Sequence, residues 1–214
     1  EKLDLTPSLL FLLSDKTSLN YELEILNQKT PFDRGIVAID LDPKVVDVET
    51  FYGEPQDGPM TIKATGHQFL LQHELDSGWT VLAGLGYRGS SFEGLSSETE
   101  LSGSRQILTR ESIQETNGVG PNEFVNRQRR GRDYDATDLS GRIELTGTFE
   151  TGSMEHHFLA GMDAYDYELD VVQLRWRDAW PTSTYFVDVN NPVYGQAQDQ
   201  VLGPNTDRLE TQDA

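Results

Sequence analysis

Cysteine is absent from all 214 residues, which removes disulfide scaffolds, thiolate metal sites and cysteine nucleophiles together. Long apolar runs are absent too. The longest uninterrupted one, Leu9 to Leu13, is far short of the 18 or more residues that a membrane-crossing helix needs, so a helical membrane protein is excluded. Positive charge is scarce: 17 Lys and Arg face 36 Asp and Glu, a formal net charge of −19. A surface of that sign repels phosphates, so nucleic acid is set aside as a partner. The chain opens Glu1-Lys2-Leu3 without a basic and apolar leader pattern, which leaves localisation to be argued from other features.

What is present is a period of two. Leu19, Tyr21, Leu23 and Ile25 alternate with Asn20, Glu22 and Glu24, as in a strand with one apolar and one polar face. Trp79, Val81, Ala83, Leu85 and Tyr87 repeat the pattern against Thr80, Gly84, Gly86, Arg88 and Ser90, with Leu82 out of phase. Leu139, Ile143, Leu145 and Phe149 oppose Ser140, Arg142, Glu144, Thr146 and Thr148. Weaker strands are predicted over Leu3 to Leu13, about Lys63 to Leu75 and about Met154 to Leu169, six in all. Pro7 lacks the donor that a ladder needs and marks the first as an edge or bulged strand.

The connections fall into two classes. Ser14 to Ser18, Asp76 to Gly78 and Glu150 to Ser153 read as tight turns. About Asn27 to Thr61, about Ser91 to Asp133 and about Asp170 to the end read as long loops. Long and short alternate, which puts every long loop on one side of the sheet. Structureless loops beyond about 12 to 15 residues are uncommon in soluble domains, whereas outer-membrane barrels combine short periplasmic turns with long extracellular loops. Trp79, Tyr87, Tyr21 and Phe149 near strand ends suit aromatic girdles. A soluble β-sandwich shows the same alternation, so the period alone leaves both architectures open.

Four segments carry a resemblance: Pro31-Phe32-Asp33-Arg34-Gly35-Ile36, Asn126 through Tyr134 (Asn-Arg-Gln-Arg-Arg-Gly-Arg-Asp-Tyr), Gly161-Met162-Asp163-Ala164-Tyr165, and Asn191-Pro192-Val193-Tyr194-Gly195. In residues and order the chain resembles the TonB-dependent siderophore receptors of the ferrichrome-type group. The resemblance implies an all-β fold of antiparallel strands, about six strands of a larger transmembrane β-barrel in the bacterial outer membrane. Such barrels have about 22 strands and a plugged lumen. Residues 1–214 are therefore expected to be part of a barrel domain whose plug and remaining strands lie outside this chain. Six strands leave two open edges, which cannot face hydrocarbon unpaired.

The implied function is uptake of ferric siderophores, energised through TonB by way of a region outside this chain, with outer-membrane lipid as the surrounding partner. The iron arrives already chelated, so no protein cofactor or metal site is expected. Glu22, Glu24, Gln68, Gln72, Arg88, Arg142 and Glu144 are expected to face the lumen and the plug, or to pair with one another in a hydrated wall. Trp176, Trp180, Tyr185 and Tyr194 offer aromatic surface to a ligand, and Arg129, Arg130, Arg175 and Arg177 offer positive charge; loop packing accounts for any single one as well. The adjacent His156 and His157 face opposite sides of a strand, and His67 and His73 lie about 20 Å apart at strand rise, so no histidine metal site follows. Gly84-Leu85-Gly86-Tyr87-Arg88-Gly89 matches a dinucleotide fingerprint by chance, since it lies within a strand and no helix follows. No nucleophile and base pair stands out, and no enzyme is expected. Two rivals remain: a passive outer-membrane channel, and a soluble β-sandwich binding module.

Overall fold

The computed structural model describes residues 1–36, 47–100, 105, 124–179 and 183–213. They form one antiparallel sheet of nine strands: β1 (Lys2–Leu5), β2 (Ser8–Ser14), β3 (Thr17–Thr30), β4 (Met60–Glu74), β5 (Thr80–Thr99), β6 (Phe124–Thr151), β7 (Met154–Arg177), β8 (Phe186–Asp188) and β9 (Gly203–Asp213). The main path runs β1-β3-β4-β5-β6-β7-β9, with β2 also on β3 and β8 on β6. β1 and β2 are one stave broken at Thr6-Pro7. Both pair with β3, and Pro7 still accepts a bond from the Leu23 amide at 3.0 Å. That is the edge placement its missing donor requires.

Three hairpins are tight, as the turn residues dictate. Ser14 pairs with Thr17 around Asp15-Lys16, Glu74 pairs with Thr80 around a turn with Gly78 at φ 75°, and Thr151 pairs with Met154 across Gly152 at φ 65°. The last two need the left-handed region, which glycine enters without steric cost. All three lie at one end of the sheet.

At the other end the strands run on where long loops were expected. β5 continues to Thr99, β6 begins at Phe124 and β7 reaches Arg177, while β9 occupies a stretch read as loop. At about 3.3 Å per residue, β6 is roughly 90 Å long, whereas a membrane-crossing strand needs only about 9–11 residues. The wall therefore projects far beyond a bilayer.

Register sorts the side chains. Glu22, Gln68, Gly86, Ser140 and Tyr165 form one cross-strand row, and Tyr21, Phe69, Leu85, Gly141 and Ala164 the row beside it on the other face. The apolar face lacks any covering layer among the described residues: Leu85 is 54% exposed, Ile143 48% and Met162 71%. A sandwich would bury these positions against a second sheet. Aromatic groups bound this uncovered band. Tyr21 stacks on His67, which stacks on Tyr87; eight residues along β5, Trp79 lies against Phe149 and Phe158. The Trp79 ring covers Gly147, where a Cβ would come within 2.3 Å of the indole. The two clusters lie about 20 Å apart once a strand tilt near 40° is allowed for, close to the apolar band of outer-membrane barrels.

The buried core sits elsewhere, at the long-loop end. Tyr52, Val125, Val187 and Val189 pack together with Ile36 against them.

Candidate functional site

Beyond the apolar band, β5 and β6 are covered on both faces, and each face has its own ion-pair cluster. On the face continuous with the apolar band, Arg127 is fully buried. It donates to Gly53 O at 2.9 Å, Gln196 Oε1 at 2.5 Å and Glu54 Oε2 at 3.4 Å, and stacks on Tyr185 with 4.7 Å from guanidinium to ring centre. Arg129 donates to Asp57 Oδ1 at 2.9 Å and to Gln198 O at 3.0 Å. The Asn-Pro-Val-Tyr-Gly motif serves the same assembly: Tyr194 Oη donates to Phe51 O at 2.8 Å and the Gly195 amide to Glu54 Oε1 at 2.8 Å. Residues 51–57 and 183–198 are thereby stitched onto the strands. Buried charges of this kind require both a partner and hydrogen bonds, and each of these has them.

On the polar face the centre is Glu98, whose side chain is fully buried. Arg34 lies 2.5 Å from it, Arg132 2.5 Å and Arg130 3.8 Å. Ser96 Oγ donates to Glu98 at 2.6 Å, and the Phe32 ring lies 4.4 Å beneath the Arg132 guanidinium. Next to it Glu100, equally buried, meets Arg177 at 2.8 Å and Arg105 at 3.6 Å. Burial, only partly offset by Glu98, pushes the Arg130 pKa below its ordinary value, with Arg34, Arg132 and Arg175 adding repulsion. For Arg175 burial acts first and Arg177 next, in the same direction.

The expected ligand residues are thus divided. Arg130, Arg175 and Arg177 share the polar face; Arg129, Trp176 and Tyr185 are on the opposite one, with Trp176 edge-on to Tyr185 at 5.5 Å. Tyr194 lies in the stitched loop, and Trp180 lies outside the described residues. Residues 129–130 and 175–177 were expected in loops. They lie in strands, where neighbours must point apart. Arg34, Arg132, Glu98 and Glu100 were not expected; an even-position spacing continued from Arg142 back to Arg130 would have found Arg132.

Lower on the polar face Glu22, Glu24, Gln68, Gln72, Arg88, Arg142 and Glu144 share one side of the sheet. Arg88 holds Glu24 through Nε and Nη2, both at 3.1 Å, and Arg142 contacts Glu144. A depression of about 770 Å³ opens over Glu22, Gln68, Arg142, Glu144 and Asp163. Among the described residues no group of three or more His, Cys, Asp or Glu is placed to hold a metal ion.

An uncovered apolar band between aromatic rows, a polar opposite face, and tight turns at one end define the wall of an outer-membrane β-barrel. No family model matches the chain. Over 95% of its length it superposes on the ferric-catecholate import receptor Fiu of E. coli (TM-score 0.72, 17% identity, 29% of that chain). Over 99% it superposes on the siderophore receptor PiuA of Acinetobacter baumannii (TM-score 0.71, 17% identity, 30% of that chain). The fold is that of these receptor barrels, which is the fold that the resemblance to TonB-dependent siderophore receptors implied. In sequence the chain is similar to the metal-pseudopaline receptor CntO of two Pseudomonas aeruginosa strains, 29% and 28% identical over 196 residues. The chain spans about a quarter of the length of these curated relatives. The names of these relatives are those of receptors.

Proposed function

We propose that this chain is part of the barrel domain of an outer-membrane receptor that takes up ferric siderophores with energy delivered through TonB. The observation that supports this best is the cation-lined polar face at the long-loop end of a wall whose outer band is uncovered and apolar. A ligand arriving from outside meets Arg130, Arg175 and Arg177 there. Below it, Glu22, Glu24, Gln68, Gln72, Arg88, Arg142 and Glu144 offer a plug domain a polar wall of donors and acceptors. Residues 1–214 then supply seven adjacent staves, and other parts of the same protein supply the plug, the closing strands and the TonB-engaging segment. A passive channel would use the same staves. The names of the relatives favour a receptor.

The test is uptake. A strain lacking the parent receptor, and the same strain complemented, are grown under iron limitation with a panel of ferric siderophores, with and without functional TonB. TonB-dependent rescue by at least one siderophore is expected. Equal uptake with and without TonB would point to the channel.

A further inference from the structure

We infer that Leu10, Leu12, Leu70 and Leu82 form an apolar seat on the otherwise polar face of the wall, and that its occupant is a segment of the plug domain presenting apolar side chains next to a lysine or arginine. The inference rests on the receptor reading above and deepens it, because it fixes where the plug is held and by what chemistry. Two departures from the period of two come first. Leu9 to Leu13 is the longest apolar run in the chain, and Leu82 is out of phase in β5. A strand covered on one face alternates, whereas an unbroken apolar run belongs to a strand covered on both.

Register joins the two departures into one feature. Leu10 pairs with Asn20, Asn20 with Leu70 and Leu70 with Gly84; in the next row Leu12 pairs with Ser18, Ser18 with Gln72 and Gln72 with Leu82. Both rows lie on the face opposite to Leu9, Phe11, Phe69 and Ala83, so lipid that meets those residues cannot reach the seat. Nothing among the described residues covers it: Leu10 is 65% exposed and Leu12 76%. Leucines standing in a water-filled lumen would forgo the burial that makes apolar side chains favourable, so a resident partner is called for.

The adjoining depression states what else that partner carries. Leu70 and Leu159 line it together with Glu22, Glu144 and Asp163. Arg142, the one cation in its lining, already contacts Glu144, while Glu22 and Asp163 have no ion-pair partner among the described residues. Gly84 keeps the floor low, since a Cβ there would come within 2.9 Å of Arg142 Cγ and 3.6 Å of Leu70 Cδ1. Leucines beside uncompensated carboxylates suit an amphipathic segment with a basic side chain, whose stem packs on the leucines while its charge meets Glu22 or Asp163.

The experiment uses the full-length receptor in intact cells, with the photoreactive residue benzoylphenylalanine placed at Leu12. Illumination should join that position to a plug-domain peptide containing apolar residues and a lysine or arginine, identified by mass spectrometry. The same probe at Leu85, on the lipid face, should give no plug peptide. A crosslink from Leu12 to the TonB-engaging segment or to a separate protein, no crosslink from an inserted receptor, or a plug crosslink from Leu85 overturns the inference. A second measurement is ion leak through the purified receptor in planar bilayers. Leu12→Asp/Leu82→Asp leaves the lipid face intact and should leak more than the parent by about tenfold or more, the factor that burial of one leucine is worth. Ala136→Asp, on the same face away from the seat, should stay as closed as the parent. Equal leak in all three overturns the inference, and if the double variant does not insert the crosslink decides alone. The receptor reading fails separately. TonB-dependent uptake without the plug crosslink would keep the receptor and sink the seat, whereas the crosslink in a protein whose uptake is equal with and without TonB would do the reverse.

Discussion

Arg129 and Arg130 are covalent neighbours whose charges serve opposite faces of β6. Arg129 lies 2.9 Å from Asp57 on the face continuous with the apolar band, and Arg130 lies 3.8 Å from Glu98 on the polar face. Asp57 has no second cationic partner within ion-pair distance among the described residues, while Glu98 has two besides Arg130. Identical side chains one position apart therefore differ in what their loss leaves behind.

Arg129→Ala strands a buried carboxylate and should destabilise the long-loop end by about 3–5 kcal/mol, the usual cost of breaking a buried pair. Arg130→Ala removes one cation from a surplus and should cost much less. Protease sensitivity of the receptor in intact cells reads the difference. Equal sensitivity of the two variants would mean that the surplus of positive charge is not real.

The apolar face makes a second contrast. Leu85→Arg and Ile143→Arg place charge on the uncovered band and should each cost about 2–4 kcal/mol if near the bilayer midplane. Ser140→Arg, on the polar face of the same sheet, should be close to neutral. Equilibrium unfolding of the lipid-embedded receptor in urea measures all three. Similar costs on both faces would contradict the barrel.

The alternation over Leu19–Ile25, Val81–Tyr87 and Leu139–Phe149 was legible because lipid demands one apolar face there. The strand extensions were not. Arg127 through Asp135 contains almost no apolar residues, since loops and ion pairs cover both its faces, and a strand polar on two sides gives no period to read. β9 failed for the same reason: of its eleven residues only Leu209 and Pro204 are apolar. The site was half legible. The arginines stood out in the sequence, but in an assumed loop their faces were undefined, and Glu98 and Glu100 become their partners only once β5 continues through Ser96 and Ser97.

Asp178 gives a pH prediction. Burial works to raise its pKa, but the Thr184 and Ala179 amides and the Thr184 hydroxyl donate to its carboxylate and lower it below the ordinary value. A depressed folded-state pKa means stability fully present above the ordinary carboxylate value, about 3.9, and lost as pH falls through the lower folded one. Hydrogen-exchange protection of the peptide containing Thr184 should hold from neutral pH to about 4 and then fall. Asp178→Asn should be less protected at neutral pH and lack that acid step. An unchanged profile in the variant would show that Asp178 does not hold this turn.

Topology predicts which segments can be reached from outside intact cells. The Asp76–Gly78 and Gly152–Ser153 turns share one end of the sheet, and the stitched loops share the other. Tight turns belong to the periplasmic side in outer-membrane barrels. Tags must avoid the buried assembly, because Gly53 O accepts from Arg127 and the Gly195 amide donates to Glu54, so insertion at either would disturb the fold that it is meant to report. Val48 and Val201 are 76% and 87% exposed, and insertions at exposed loop tips are tolerated well. A short epitope after Val48 or Val201 of the full-length receptor should therefore bind antibody on intact cells, while the same epitope after Ser77 or Gly152 should bind only after the outer membrane is opened. Labelling of all four positions on intact cells would remove the barrel orientation, and with it the assignment of the Glu98 cluster to the side from which a chelate arrives.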